Sequence, residues 1–181
     1  MPEGHGGTLL MLGHGAGGDV DAPDLQAVRA AVLARGVAVA LVTQPYRVAG
    51  RRAPAPAPQL DAAWLAVVAR LRKVLGFTVL VVGGRSSGAR VACRTARDAG
   101  AARILALAFP LHPPGKPDRS RAGELLTGLP TLVLNGAKDA FGIPSEGPDV
   151  QVRVLPGETH ALSKDPAAVA AAAVDFVASP A

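Results

Sequence analysis

The sequence predicts an α/β domain: a mainly parallel six-stranded sheet with helices on both faces. Two observations lead there. Strand-like and helix-like patterns alternate along nearly the whole chain, and the strand-like runs are continuous rather than alternating in polarity. Thr78-Val79-Leu80-Val81-Val82 is the clearest such run, and it suits a strand covered on both faces. A third observation sets the scale: 181 residues, 49% of them apolar, suffice for one domain with one sizeable core. Only 3% are aromatic, so that core must be built mostly from Val, Leu and Ala.

Thr8 to Leu12 reads as the first strand, followed by the loop His14-Gly15-Ala16-Gly17-Gly18-Asp19. A helix capped by Asp21 or a neighbour then carries Leu25, Val28 and Val32 on one face and ends at Gly36. Val37 to Val42 is the second strand. From Thr43 to Gln59 the alternating prolines favour polyproline II and argue against helix, so an extended surface loop is expected. Trp64, Val67, Val68, Leu71 and Leu75 mark an amphipathic helix closed by Gly76.

Thr78 to Val82 is the third strand; the helix after it stops at Gly100. Arg103 to Phe109 is the fourth, and the prolines of residues 110–117 make a loop. A short helix from Ser120 to Leu126 precedes the fifth strand, Thr131 to Leu134, and Val150 to Val154 is the sixth. Asp165-Pro166 opens a last helix with Val169, Ala173 and Phe176 on its inner face. No internal repeat or domain boundary interrupts residues 1–181.

Composition excludes several classes of function. The net charge of +5 comes mainly from scattered arginines, with no basic run longer than Arg51-Arg52 and little aromatic surface for stacking, so nucleic-acid binding is not expected. No apolar run is long enough to cross a bilayer, and Met1-Pro2-Glu3-Gly4-His5 lacks the features of a secretory signal; a cytoplasmic protein without membrane attachment is expected. Cys93 is the only cysteine, which rules out an intramolecular disulfide or a cysteine-based metal cluster; it reads as a small buried hydrophobe. Gly13-His14-Gly15-Ala16-Gly17-Gly18 matches the dinucleotide fingerprint, but the end of the second strand, Val42-Thr43-Gln44-Pro45, lacks the acidic residue that would hold the ribose.

The chemistry centres on Gly84-Arg85-Ser86-Ser87-Gly88. Between a strand and a helix it fits the G-x-S-x-G nucleophile elbow, a sharp turn that lifts a serine hydroxyl above the sheet. The helix that follows aims its N-terminal amides at an oxyanion forming there. Asp139 follows the fifth strand and His160 the sixth, and parallel strands bring these loops to one rim. The order Ser, Asp, His is that of the α/β-hydrolase triad. Ser86 is the candidate nucleophile, His160 its base and Asp139 the group that orients the base. The backbone N–H groups of Ala16 and Ser87 are the candidate oxyanion donors. His112 is the rival base, while His5 is expected in a disordered terminus. His14, Gly15, Arg85 and His112 are candidate substrate contacts; His14 is also read as shaping the oxyanion loop and Arg85 as pairing with a structural carboxylate. Arg47, Arg51 and Arg52 lie after the second strand, either near a substrate anion or solvated.

With these motifs the chain resembles a compact α/β-hydrolase of the dienelactone-hydrolase-like group, near the testis-expressed and chromatin-complex α/β-hydrolase-like proteins and their bacterial relatives. The resemblance rests on His14-Gly15-Ala16-Gly17-Gly18, Gly83-Gly84-Arg85-Ser86-Ser87-Gly88, Asn135-Gly136-Ala137-Lys138-Asp139-Ala140-Phe141-Gly142 and Gly157-Glu158-Thr159-His160. It implies a minimal α/β-hydrolase fold with little or no lid and a serine hydrolase of carboxylic esters, thioesters or lactones. Such an enzyme needs no cofactor and no metal, takes a small-molecule ester-type substrate, and is expected as a monomer or homodimer. The first strands of the larger hydrolases are absent ahead of Thr8, and the segment after Phe109, where lids are inserted, is short. The alternative is a scaffold of the same fold that keeps the triad but acts by binding partners. Dehalogenase chemistry is disfavoured because it needs a carboxylate where Ser86 stands.

Overall fold

The computed structural model describes residues 7–179; His5 lies outside them. Six strands form one sheet: β1 (Thr8–Gly13), β2 (Ala38–Val42), β3 (Val79–Arg85), β4 (Arg103–Leu107), β5 (Thr131–Gly136) and β6 (Val150–Leu155). Every pairing is parallel, and the order is β2-β1-β3-β4-β5-β6. The chain builds outward from β1 in one direction and then, beginning with β3, in the other. The switch point between β1 and β3 is where an open α/β sheet leaves a crevice at the carboxyl ends of its strands.

Side-chain alternation sends the central strands to two cores. Leu9 and Met11 of β1 point to one face with Val82, Ile104 and Val133, beneath the helices α3 (Ala57–Leu75) and α4 (Ser87–Thr95). Leu10 and Leu12 point to the other with Val81, Leu105 and Leu132, beneath α1 (Pro23–Leu33) and α5 (Pro166–Ala178). This two-sided cover explains the continuous apolar runs of the central strands. The edge strands β2 and β6 are largely half-buried or exposed.

Several local expectations are corrected. Residues 44–59 are not wholly extended: Pro45 opens a one-turn helix, α2 (Pro45–Val48), and α3 starts at Ala57 with Pro56 at its cap. These prolines occupy helix starts, where no intrahelical N–H bond is needed. Asp21 does not cap α1, whose cap position is Ala22 with no side-chain bond, followed by a proline. The short helix expected around Ser120 to Leu126 is present, as a 3₁₀ helix over Ala122–Leu125. On α5 the deeply buried residues are Val169, Ala173 and Val177, with Phe176 half-buried. Gly76 ends α3 in the left-handed conformation, as its position predicts.

Between β4 and β5 the chain forms only that 3₁₀ turn, so no helical layer covers the carboxyl ends of the strands there. Among the described residues no helix is long and apolar enough to cross a membrane. Cys93 is buried, and its thiol is pushed up to about 12, chiefly by burial, as fits an inert packing residue.

Candidate active site

Ser86 occupies the bend between the last residue of β3 and the first of α4, at φ 53° and ψ −110°. A side-chain-bearing residue rarely adopts this conformation, which persists only where the surroundings impose it. Here the Ser86 N–H donates to the Leu107 carbonyl at 2.9 Å, and the Ser86 carbonyl accepts from Arg90 N–H at 3.2 Å. The end of β1 presses against the same bend. A Cβ on Gly84 would lie 2.5 Å from the Gly13 carbonyl oxygen, and one on Gly88 would overlap the same group. Both positions must be glycine for β1 and the elbow to approach this closely.

His160 Nε2 lies 2.9 Å from Ser86 Oγ, and its Nδ1 lies 2.8 and 3.0 Å from the two carboxylate oxygens of Asp139. Because a carboxylate only accepts, Nδ1 carries the proton, leaving Nε2 free to accept from the serine hydroxyl. The Asp139 side chain is fully buried; it also accepts from Phe141 N–H at 2.8 Å and from Asn135 Nδ2 at 3.2 Å. Asn135, at the end of β5, accepts from Phe109 N–H and donates to the Gly142 carbonyl as well, tying the β4 and β5 exits together. The Phe141 ring stacks on His160 with centroids 4.0 Å apart.

Gly136 lets the histidine loop reach this point: a Cβ there would stand 2.5 Å from the carbonyl oxygens of Glu158 and Thr159. The buried Glu158 side chain closes the same loop by accepting from the N–H groups of Lys164 and Asp165.

The candidate oxyanion loop is held from behind. His14 is fully buried; its Nε2 accepts from Gln44 N–H at 2.9 Å, so Nδ1 bears the proton and donates to the Gly15 carbonyl at 2.8 Å. That carbonyl shares a peptide plane with the Ala16 N–H, which a trans peptide directs the opposite way. Tyr46 Oη donates to the Ala16 carbonyl at 3.0 Å. Ser87 begins α4, so its N–H has no intrahelical acceptor. Ala16, Ser86 and Ser87 together line a cavity of about 290 Å³, walled also by Pro54, Ala55 and Leu60. The Ala-Pro segment lies on the surface, as expected, and also borders this cavity.

The other candidates are placed elsewhere. His112 does not reach Ser86: its Nδ1 bonds the Pro113 carbonyl at 2.9 Å and its ring packs on Gly142. His14 is a buried brace rather than a substrate contact, and Gly15 packs against Arg85 and the Ser86 Cβ. Of the two readings of Arg85, the geometry matches the structural one. Its Nε lies 3.1 Å from Oδ2 of the buried Asp24, and Nη2 donates to the His160 carbonyl at 3.0 Å. The Arg85–Asp24 pair is close but not aligned as a hydrogen bond. Burial, outweighing the attraction of Arg85, pushes Asp24 up to about 6. Arg47 pairs with Asp19 at 3.6 Å, while Arg51 and Arg52 are exposed. Among the described residues no group of three His, Cys, Asp or Glu side chains could hold a metal ion.

An alpha/beta hydrolase domain family model matches residues 6–163. The chain belongs to that family. No curated protein matches it. This alpha/beta hydrolase resembles solved structures at low identity. Est1E from Butyrivibrio proteoclasticus with ferulic acid bound superposes at TM-score 0.76 and 18% identity, over 97% of this chain and 91% of that one. An alpha-beta serine hydrolase homologue from Coxiella burnetii gives 0.75 and 16%, over 94% and 85%. XC6422 from Xanthomonas campestris, described as an a/b serine hydrolase without lid, gives 0.72 and 18%, over 100% and 88%. These likenesses establish the fold. The narrower dienelactone-hydrolase-like grouping rests on the motifs alone.

Proposed function

We propose that this alpha/beta hydrolase cleaves carboxylic esters, thioesters or lactones of small molecules through an acyl-enzyme on Ser86. The observation that carries the reading is the unbroken relay from Ser86 Oγ to His160 Nε2, 2.9 Å, and from His160 Nδ1 to Asp139, 2.8 Å. As Ser86 Oγ attacks the carbonyl carbon, His160 Nε2 takes the hydroxyl proton. Asp139, buried beside Nδ1, holds the ring in the needed tautomer and offsets its new charge. The tetrahedral oxyanion is received by the N–H groups of Ala16 and Ser87, the first aimed by the His14 bond to Gly15 and the second by the start of α4. His160 returns the proton to the leaving oxygen or sulfur, and a water activated by the same nitrogen then releases the acid.

A fluorophosphonate probe tests this directly. Wild type is expected to be labelled on one serine, and Ser86→Ala to be silent while still folded. A silent wild type would defeat the proposal and favour a scaffold that binds partners.

A further inference from the structure

Three guanidinium groups, those of Arg90, Arg94 and Arg121, line the cavity onto which Ser86 opens. Two are already matched. Arg90 forks onto Glu124 at 2.8 and 2.6 Å. Arg94 forks onto Asp61 at 2.9 and 2.6 Å and also lies 3.6 Å from Glu124. Arg121 differs: its Nη1 donates to the Pro110 carbonyl at 3.2 Å, and among the described residues no carboxylate pairs with it.

Among the cavity's own arginines, three cations face the two carboxylates Asp61 and Glu124, and the exposed Arg119 nearby adds to the positive excess. Arg121 is half-buried, and its guanidinium is lowered from its ordinary value first by burial and then by the charge of Arg90, against the pull of Glu124. A half-buried guanidinium whose hydrogen bond goes to a backbone carbonyl keeps further N–H donors for an anion, and its planar fork suits a carboxylate. The cavity's other walls are largely apolar, with Pro54, Ala55, Leu60 and Phe141 among them. At about 290 Å³ it is at the small end for ligand sites.

We infer that the ester this site accepts carries its own carboxylate, a short apolar distance from the scissile bond, and that Arg121 receives that carboxylate. The inference rests on the hydrolase reading above, because it places the scissile carbonyl at Ser86.

The experiment compares mono-4-nitrophenyl adipate with its methyl-capped neutral isostere. Wild type is expected to favour the free carboxylate in kcat/KM by at least about tenfold, less so as salt rises. Arg121→Gln is expected to bring the ratio near one, and Arg121→Lys to keep part of it. Equal turnover of the two esters by wild type, or an unchanged ratio in Arg121→Gln, would overturn the inference. If the glutamine variant does not fold, the lysine variant and the salt dependence of the wild-type ratio decide it. If Ser86 takes no fluorophosphonate and neither ester is cleaved, the hydrolase reading has failed. Calorimetry with monomethyl adipate then decides the anion site: binding by wild type that is lost in the Arg121 variants keeps it, and no binding removes it.

Discussion

Arg85 reaches across the sheet edge to donate a 3.0 Å hydrogen bond from Nη2 to the backbone carbonyl of His160. The residue immediately before the candidate nucleophile thus fixes the loop that carries the candidate base. Asp24 of α1, 3.1 Å from the Arg85 Nε, anchors the guanidinium from below.

Removing this strut should loosen His160 relative to Ser86 without touching the cavity wall. Arg85→Ala is expected to lower kcat on the order of a hundredfold while KM changes little, because an ångström of misalignment is costly to proton transfer. Arg85→Lys should recover part of the loss, since it still presents a donor. Steady-state kinetics on a short aryl ester measure this split.

The two histidines near the site should separate cleanly. His160→Ala is expected to lose at least about a thousandfold in kcat. His112→Ala should stay within about tenfold, because the ring is turned onto Gly142 and the Pro113 carbonyl. A reversed pattern would move the base to His112.

Gly136→Ala should drive a methyl group into the Glu158 and Thr159 carbonyls, 2.5 Å from the ideal Cβ position. The expected cost is about 1–3 kcal/mol in denaturant unfolding, with an activity loss beyond what the unfolded fraction explains. Unchanged stability and rate together would show that the two loops are not packed as described.

Asp24 should leave a mark on stability against pH. Its pKa is raised from 3.8 to about 6, mainly by burial, so between those values the folded chain holds a proton that the unfolded chain has released. The contribution from this group is therefore present at low pH and lost as pH rises from about 4 to 6, on the order of 3 kcal/mol. Urea unfolding of wild type and Asp24→Asn across that range isolates it: the difference between the two should grow as the pH rises and level off above 6. A difference independent of pH would contradict the assigned burial.

What the sequence determined by itself is the layout along the chain. Uninterrupted apolar runs mark strands covered on two faces, and Gly84, Ser86 and Gly88 mark a bend whose backbone few other residues tolerate. Ser86, Asp139 and His160 each follow a strand, and parallel strands share one exit edge, so their convergence could be read without coordinates. These are local or periodic properties, carried by residue type and spacing. The tertiary structure decided whatever depends on partners distant in the chain. Only it sets Arg85 on Asp24 and the His160 carbonyl, His14 behind the Ala16 peptide, and His112 away from Ser86. It also decided which arginines matter: Arg47 meets Asp19, whereas Arg121, from an irregular loop, lines the cavity with no carboxylate paired to it among the described residues. Spacing cannot reveal such pairings, because a charged side chain's role is set by which opposite charge reaches it and how far water is excluded.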